Sequence, residues 1–175
     1  MKLQIKTSMM LLMLLCMSIS STLLAQGKES PAETATGKVN GATITIKYSS
    51  PSVKGRKIWG DLVPYDKVWR TGANEATIFE TDKAIKVEGK SLPAGKYSLY
   101  AIPGDKEWTM IFNKETGQWG IKRTGETTRD AAKDALTVKV KPTKSASMHE
   151  KLIYVVTAKG FSLQWENLTV DTKIE

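Results

Sequence analysis

The sequence predicts an all-β fold: a single antiparallel β-sandwich or flattened barrel of about seven to nine strands, with one long packed loop and at most one short helix. Short runs with apolar residues at every second position recur along the chain, the pattern of strands buried on one face. Gly, Pro, Asn or Asp stand between these runs, where tight turns need them. No long stretch carries the period of an amphipathic helix, so the crossover helices of a parallel sheet are missing.

The first residues, MKLQIKTSMMLLMLLCMSISSTLLAQG, place Lys2 and Lys6 before an apolar run that ends in small residues, which is how a secretory signal peptide reads, with cleavage near Ala25. The run is shorter than the ~20 residues needed to span a bilayer. A lipid anchor at Cys16 fits less well, because Met13, Leu14 and Leu15 are not the small residues expected before such a site. Removing residues 1–25 leaves 150 of 175 residues and takes away the single cysteine, so no disulfide staples the remainder. A chain of that length buries enough surface to fold as one domain. The expected product is therefore exported, periplasmic or extracellular.

Residues 26–37, QGKESPAETATG, lack large apolar groups and read as a flexible leader, with the domain covering 38–175. The strands follow in order as ATITIKYS, the tail ATIFET, KAIKV, GKYSLYAI, EWTMIFN, ALTVKVK, KLIYVVT and GFSLQW. TTRDAAKDA carries the only helical signal, with Thr128 placed to cap a turn or two. Residues 49–75 hold no period-two run. A connection that long in a compact domain is usually functional or packed by its own side chains, and Val53, Ile58, Trp59, Leu62, Val63, Val68 and Trp69 predict that it packs on the sandwich.

The blocks GRKIWG, PYDKVWRTGANEAT, LPAGKYSLYAIPG, EWTMIFNK and FSLQWENLTV resemble a family of small secreted bacterial proteins catalogued as domain of unknown function 2911. The resemblance implies compartment and domain limits, and no reaction, cofactor or substrate. IKRTGETTRDAAK, after Trp119, is more polar than that pattern and puts a site contribution from this segment in doubt.

The candidate site is the corner TGANEAT, with its neighbours. Gly72 can take a positive φ, Asn74 can bond within a turn, and Arg70 and Glu75 can pair across it, which is stitching. The same Arg70, Asn74 and Glu75, projecting beside Trp69 from a rigid loop, are also what holds a polar ligand such as a glycan. Gln118 and Trp119 offer an amide beside a ring, and Arg56 stands in the turn KGRK, which lacks the helix entry of a phosphate loop. Trp108 and Trp165 fall on apolar strand faces and belong to the core.

Catalytic signals are weak. The single histidine, His149, lies in the polar segment TKSASMHEK, expected as exposed loop, and no G-x-S-x-G elbow accompanies it. Glu75 is the one candidate acid or base. Too few N and S ligands remain for a zinc or copper site, and no calcium loop is present, so neither metal nor cofactor is expected. The formal charge of +8 falls to +6 without Lys2 and Lys6, and it is spread along the chain. Spread charge without a recognition motif does not point to nucleic acid. The sequence thus favours an envelope-associated module binding a polar ligand or an envelope protein. A glycan hydrolase or lyase using Glu75, and a structural partner subunit, are the alternatives.

Overall fold

The computed structural model describes residues 30–175. The expected signal peptide and the first part of the expected leader lie outside the described residues. Ten strands are present among the described residues: β1 (Ala32–Val39), β2 (Ala42–Ser49), β3 (Ile78–Thr81), β4 (Ile85–Val87), β5 (Lys90–Leu92), β6 (Gly95–Ile102), β7 (Trp108–Asn113), β8 (Asp134–Val140), β9 (Pro142–Thr157) and β10 (Gly160–Lys173). The first eight of these, less the β4–β5 hairpin, form an antiparallel sheet in the order β1-β2-β3-β6-β7-β8. The long β9–β10 ribbon supplies the second layer, and the β4–β5 hairpin joins it where Val87 pairs with Ile174. The architecture is all-β, with no sheet closed into a barrel.

The core forms where the two layers face each other. Ile44, Ile46, Phe79, Leu99 and Phe112 come from the sheet and Leu152, Phe161, Leu163 and Trp165 from the ribbon, all of them buried. Alternation holds along β2, whose inward Ala42, Ile44 and Ile46 are buried. It breaks along β6, where every residue from Tyr97 to Ala101 is buried. Tyr97, Leu99 and Ala101 point to the main core, while Tyr100 joins Ala76 and Ile111 in a second cluster on the opposite face, flanked by Val68 and Ile102. This central strand is covered on both sides, by the ribbon and by loops.

Four sequence expectations need correction. Strand β1 begins at Ala32, inside the stretch expected as leader, and pairs along its whole length with β2. Its side chains are mostly exposed, so backbone pairing rather than burial places it, and hydropathy gave no signal. The strands β1 and β5 bring the number to ten. The helical signal yields only a 3-10 turn, Ala131–Lys133, whose cap is Asp130, accepting from the Ala132 N–H at 3.0 Å, and not Thr128. The segment expected as a loop around His149 is part of β9, with His149 opposite Glu166. Nearly all its residues are exposed, so it carries no apolar period.

The ribbon is sharply folded. At ~3.3 Å per residue a straight strand of β10's length would hold its ends ~40 Å apart. Instead Ile174 N–H donates to the Lys159 carbonyl at 2.9 Å, and Ser162 Oγ is hydrogen-bonded to Asp171. The bend lies at Glu166, which has φ 53° and interrupts the pairing register.

Candidate functional site

The loop 49–75 lies on the sandwich as expected. Val53 N–H donates to the Glu150 carbonyl at 2.7 Å and Leu152 N–H to the Pro51 carbonyl at 2.9 Å, which fastens its first part to β9. Trp69 and Ala101 exchange backbone hydrogen bonds of 2.7 and 2.9 Å, fastening its last part to β6. Between these points Ile58, Trp59 and Val63 are buried.

Trp59 anchors the loop. Its ring centroid lies 5.8 Å from Trp69, 5.0 Å from Trp108 and 5.7 Å from Trp165, each in edge-to-face geometry. Trp69 stacks on Trp165 at 6.0 Å and 16°. Such pairs contribute about 0.5–1.5 kcal/mol each beyond the burial of their area. The expectation of core for Trp108 and Trp165 holds, and Trp59 joins them.

The corner TGANEAT is strongly stitched. Thr71, fully buried with φ 54°, donates from Oγ1 to the Leu99 carbonyl at 2.9 Å. Its own carbonyl accepts from Thr77 Oγ1 at 3.1 Å and Tyr154 Oη at 3.0 Å. A β-branched residue in the left-handed region is strained, and these three bonds hold it there. Gly72 is required by space: a Cβ there would meet Thr77 Oγ1 at 2.8 Å and the Ser49 carbonyl at 3.2 Å. Asn74, with φ 56°, donates to the Ser30 carbonyl at 3.0 Å and so ties down the segment before β1.

Arg70 sits half-buried against the turn at 120. Its Nη1 donates to the Trp119 carbonyl at 3.1 Å, and its guanidinium lies 5.9 Å from the Trp119 ring centroid. Gly120, at φ 88°, lets the chain pass, since a Cβ there would come within 2.9 Å of Arg70 Cδ. Burial pushes the Arg70 pKa down from its ordinary value, while the nearby Glu75 opposes that shift through space. Glu75 itself is exposed.

These elements frame a cleft of about 800 Å³. Trp69 and Trp165 lie at its base, Leu62, Val63 and Pro64 form one wall, and the hairpin around Gly125 forms part of another. That hairpin is closed by the Lys122 N–H to Glu126 carbonyl bond of 2.7 Å and by the pairing of Ile121 with Thr127. Lys54, Arg56, Lys67 and Arg70 also line the cleft, with Glu126 as the one carboxylate on its walls among the described residues.

Of the expected site residues, the cleft brings together Arg56, Trp69 and Arg70. Asn74, Glu75, Gln118 and Trp119 are not on its walls. Gln118 serves the backbone, donating to the Glu115 carbonyl at 3.2 Å while its own carbonyl accepts from Ala76 N–H at 3.0 Å. Trp119 is half exposed and covers Arg70 from outside. His149 is likewise off the cleft. Among the described residues no group of three or more His, Cys, Asp or Glu side chains could hold a metal ion. The sequence reading missed Lys54, Lys67 and the 121–127 hairpin; the glycine turn Gly125-Glu126 was the available signal for the last.

Glu75 is exposed where Thr71 is fully buried. Glu75→Gln removes a charge from an exposed side chain, where an ion pair contributes at most ~1 kcal/mol, and is expected to move the thermal midpoint by no more than about 4 °C. Thr71→Val, which removes a buried donor at a cost of ~1–3 kcal/mol, should lower it by several degrees. Differential scanning calorimetry of the two variants checks both.

The family model described as "Protein of unknown function (DUF2911)" matches residues 30–174. No curated protein and no solved structure matches this chain.

Proposed function

The chain belongs to the family of Protein of unknown function (DUF2911), and from that premise we propose that it is an exported, envelope-associated binding module that holds a polar, ring-bearing ligand such as a glycan in the cleft. The observation that carries this reading is Trp69, half-buried at the base of the cleft and backed by Trp165 at 6.0 Å. A ring face fixed from behind, beside side chains that donate hydrogen bonds, suits a sugar, whose apolar face stacks while its hydroxyls seek polar partners. The rigidity of loop 49–75 supports it further, because a pocket already ordered loses little entropy on binding.

The test is a titration of the exported protein with oligosaccharides, followed by the indole N–H resonances of its tryptophans; mass spectrometry first establishes whether residues 1–25 have been removed. The Trp69 resonance should shift with ligand while those of buried Trp108 and off-cleft Trp119 stay in place. If no oligosaccharide moves Trp69, the reading fails.

A further inference from the structure

We infer that the cleft selects anions: its ligand is a saccharide carrying acidic groups, carboxylate or sulfate, that the cationic walls receive. The inference rests on the cleft being the ligand's seat, as proposed above, and adds the chemistry that the seat prefers.

Among the described residues, Arg56, Lys67 and Arg70 line the cleft together with Lys54, and Glu126 is the carboxylate among them. That carboxylate is already engaged, with Glu126 3.7 Å from Lys122 Nζ and within 3.4 Å of Thr124 Oγ1. Elsewhere on the surface, cations stand beside acids: Lys96 with Glu80 at 3.6 Å, Lys139 with Glu107 at 2.6 Å. Within the cleft, among the described residues, neither Arg56 nor Lys67 forms an ion pair.

Arg56 is also held in place by neutral acceptors. Arg56 donates from Nε to the Val53 carbonyl at 3.1 Å and from Nη2 to the Ser52 carbonyl at 2.5 Å. Arg70 is fixed by the Trp119 carbonyl at 3.1 Å, with the Glu75 carboxylate acting on it through space. Carbonyls orient a guanidinium but leave its full charge, and a concave surface of one sign focuses the field inside it. An anion entering the cleft finds its donors oriented beforehand, and charge-assisted hydrogen bonds are about twice as strong as neutral ones. Trp69 then reads the ring that carries the charge, so the combination selects an acidic sugar over a free inorganic anion.

The experiment uses matched pairs on the exported protein: an oligogalacturonate against its methyl ester, and a sulfated disaccharide against its desulfated form, each titrated against the Trp69 indole resonance. The acidic member of at least one pair should bind about tenfold tighter, a difference of about 1.4 kcal/mol. That preference should shrink as salt rises from about 0.02 to 0.2 M, because the screening length falls to below ~10 Å. Whichever pair shows it names carboxylate or sulfate as the recognised group. The double variant Arg56→Gln with Lys67→Gln, both exposed in the fold, should bring the paired affinities together, while Lys96→Gln with Lys139→Gln, away from the cleft, should leave the preference intact. Equal binding of acidic and neutral members, or a preference that survives Arg56→Gln with Lys67→Gln, overturns the inference and leaves the binding module standing. Silence of Trp69 with every sugar overturns both.

Discussion

Gly160→Ala is expected to lower the thermal midpoint by at least about 6 °C, or to prevent folded protein from accumulating. A Cβ at this position would stand 2.0 Å from the Thr172 carbonyl oxygen and 3.0 Å from Ile174 N. Both are backbone atoms, so no side-chain rotation relieves the overlap. The residue also has φ 144°, a region that L residues rarely adopt, at a cost of roughly 1–3 kcal/mol. Steric displacement of the returning arm of β10 adds to that, and a total of about 3 kcal/mol or more moves a domain of this size by ~2–4 °C per kcal/mol. Gly55 provides the control, since it too has a positive φ, 69°, but a Cβ there meets nothing within 4 Å. Gly55→Ala should therefore show only the conformational part, about 1 kcal/mol. Equal effects of the two substitutions would show that the close approach of β10 to itself contributes nothing.

The second large effect is expected at Trp59. Trp59→Ala removes three edge-to-face ring contacts and leaves a void among the remaining indoles. Truncation of a buried tryptophan costs about 3–5 kcal/mol, or roughly 6–20 °C for a domain of this size. The consequence reaches the cleft through a short path. Gly60 N–H donates to the Val63 carbonyl at 3.0 Å and Val63 N–H to the Ile58 carbonyl at 2.9 Å, and Val63 forms part of the cleft wall. Loss of the anchor should therefore weaken ligand binding and stability together, with Trp59→Phe recovering part of each. Calorimetry and the Trp69 resonance titration read the two effects. A variant that loses stability while its ligand affinity holds would show that Trp59 stabilises the core without shaping the cleft.

How far the sequence revealed this molecule depended on whether a segment buried one face. β2 and β7 announced themselves through Ile44, Ile46, Met110 and Phe112, because one side of each faces the core. β1 did not, since its exposed Glu33, Thr34 and Thr36 leave only backbone pairing to define it. The outer half of β9 escaped for the same reason, and His149 was placed in a loop when it belongs to a ladder. Covering both faces of β6 was equally illegible, because Tyr100 gave no hint of what would lie above it.

The corner TGANEAT shows a different limit. Its turn residues were readable, but the partners that decide their roles come from elsewhere: Leu99, Tyr154 and Ser30 for Thr71 and Asn74. Arg56, Trp69 and Arg70 could be nominated because charge and ring stand out by type. Their convergence with Lys54, Lys67 and the 121–127 hairpin depends on tertiary folding, which no local spacing encodes.

The four clustered indoles come from positions 59, 69, 108 and 165, so the base of the cleft is not finished until the last part of the chain takes its place. Closure over such separations is entropically late, and chains dominated by distant contacts fold slowly. A chain emerging from its N-terminus would thus display loop 49–75 and its lysines and arginines well before Trp165 arrives to back Trp69. The cleft is complete only once the C-terminal ribbon, which brings Trp165 against Trp69, is in place.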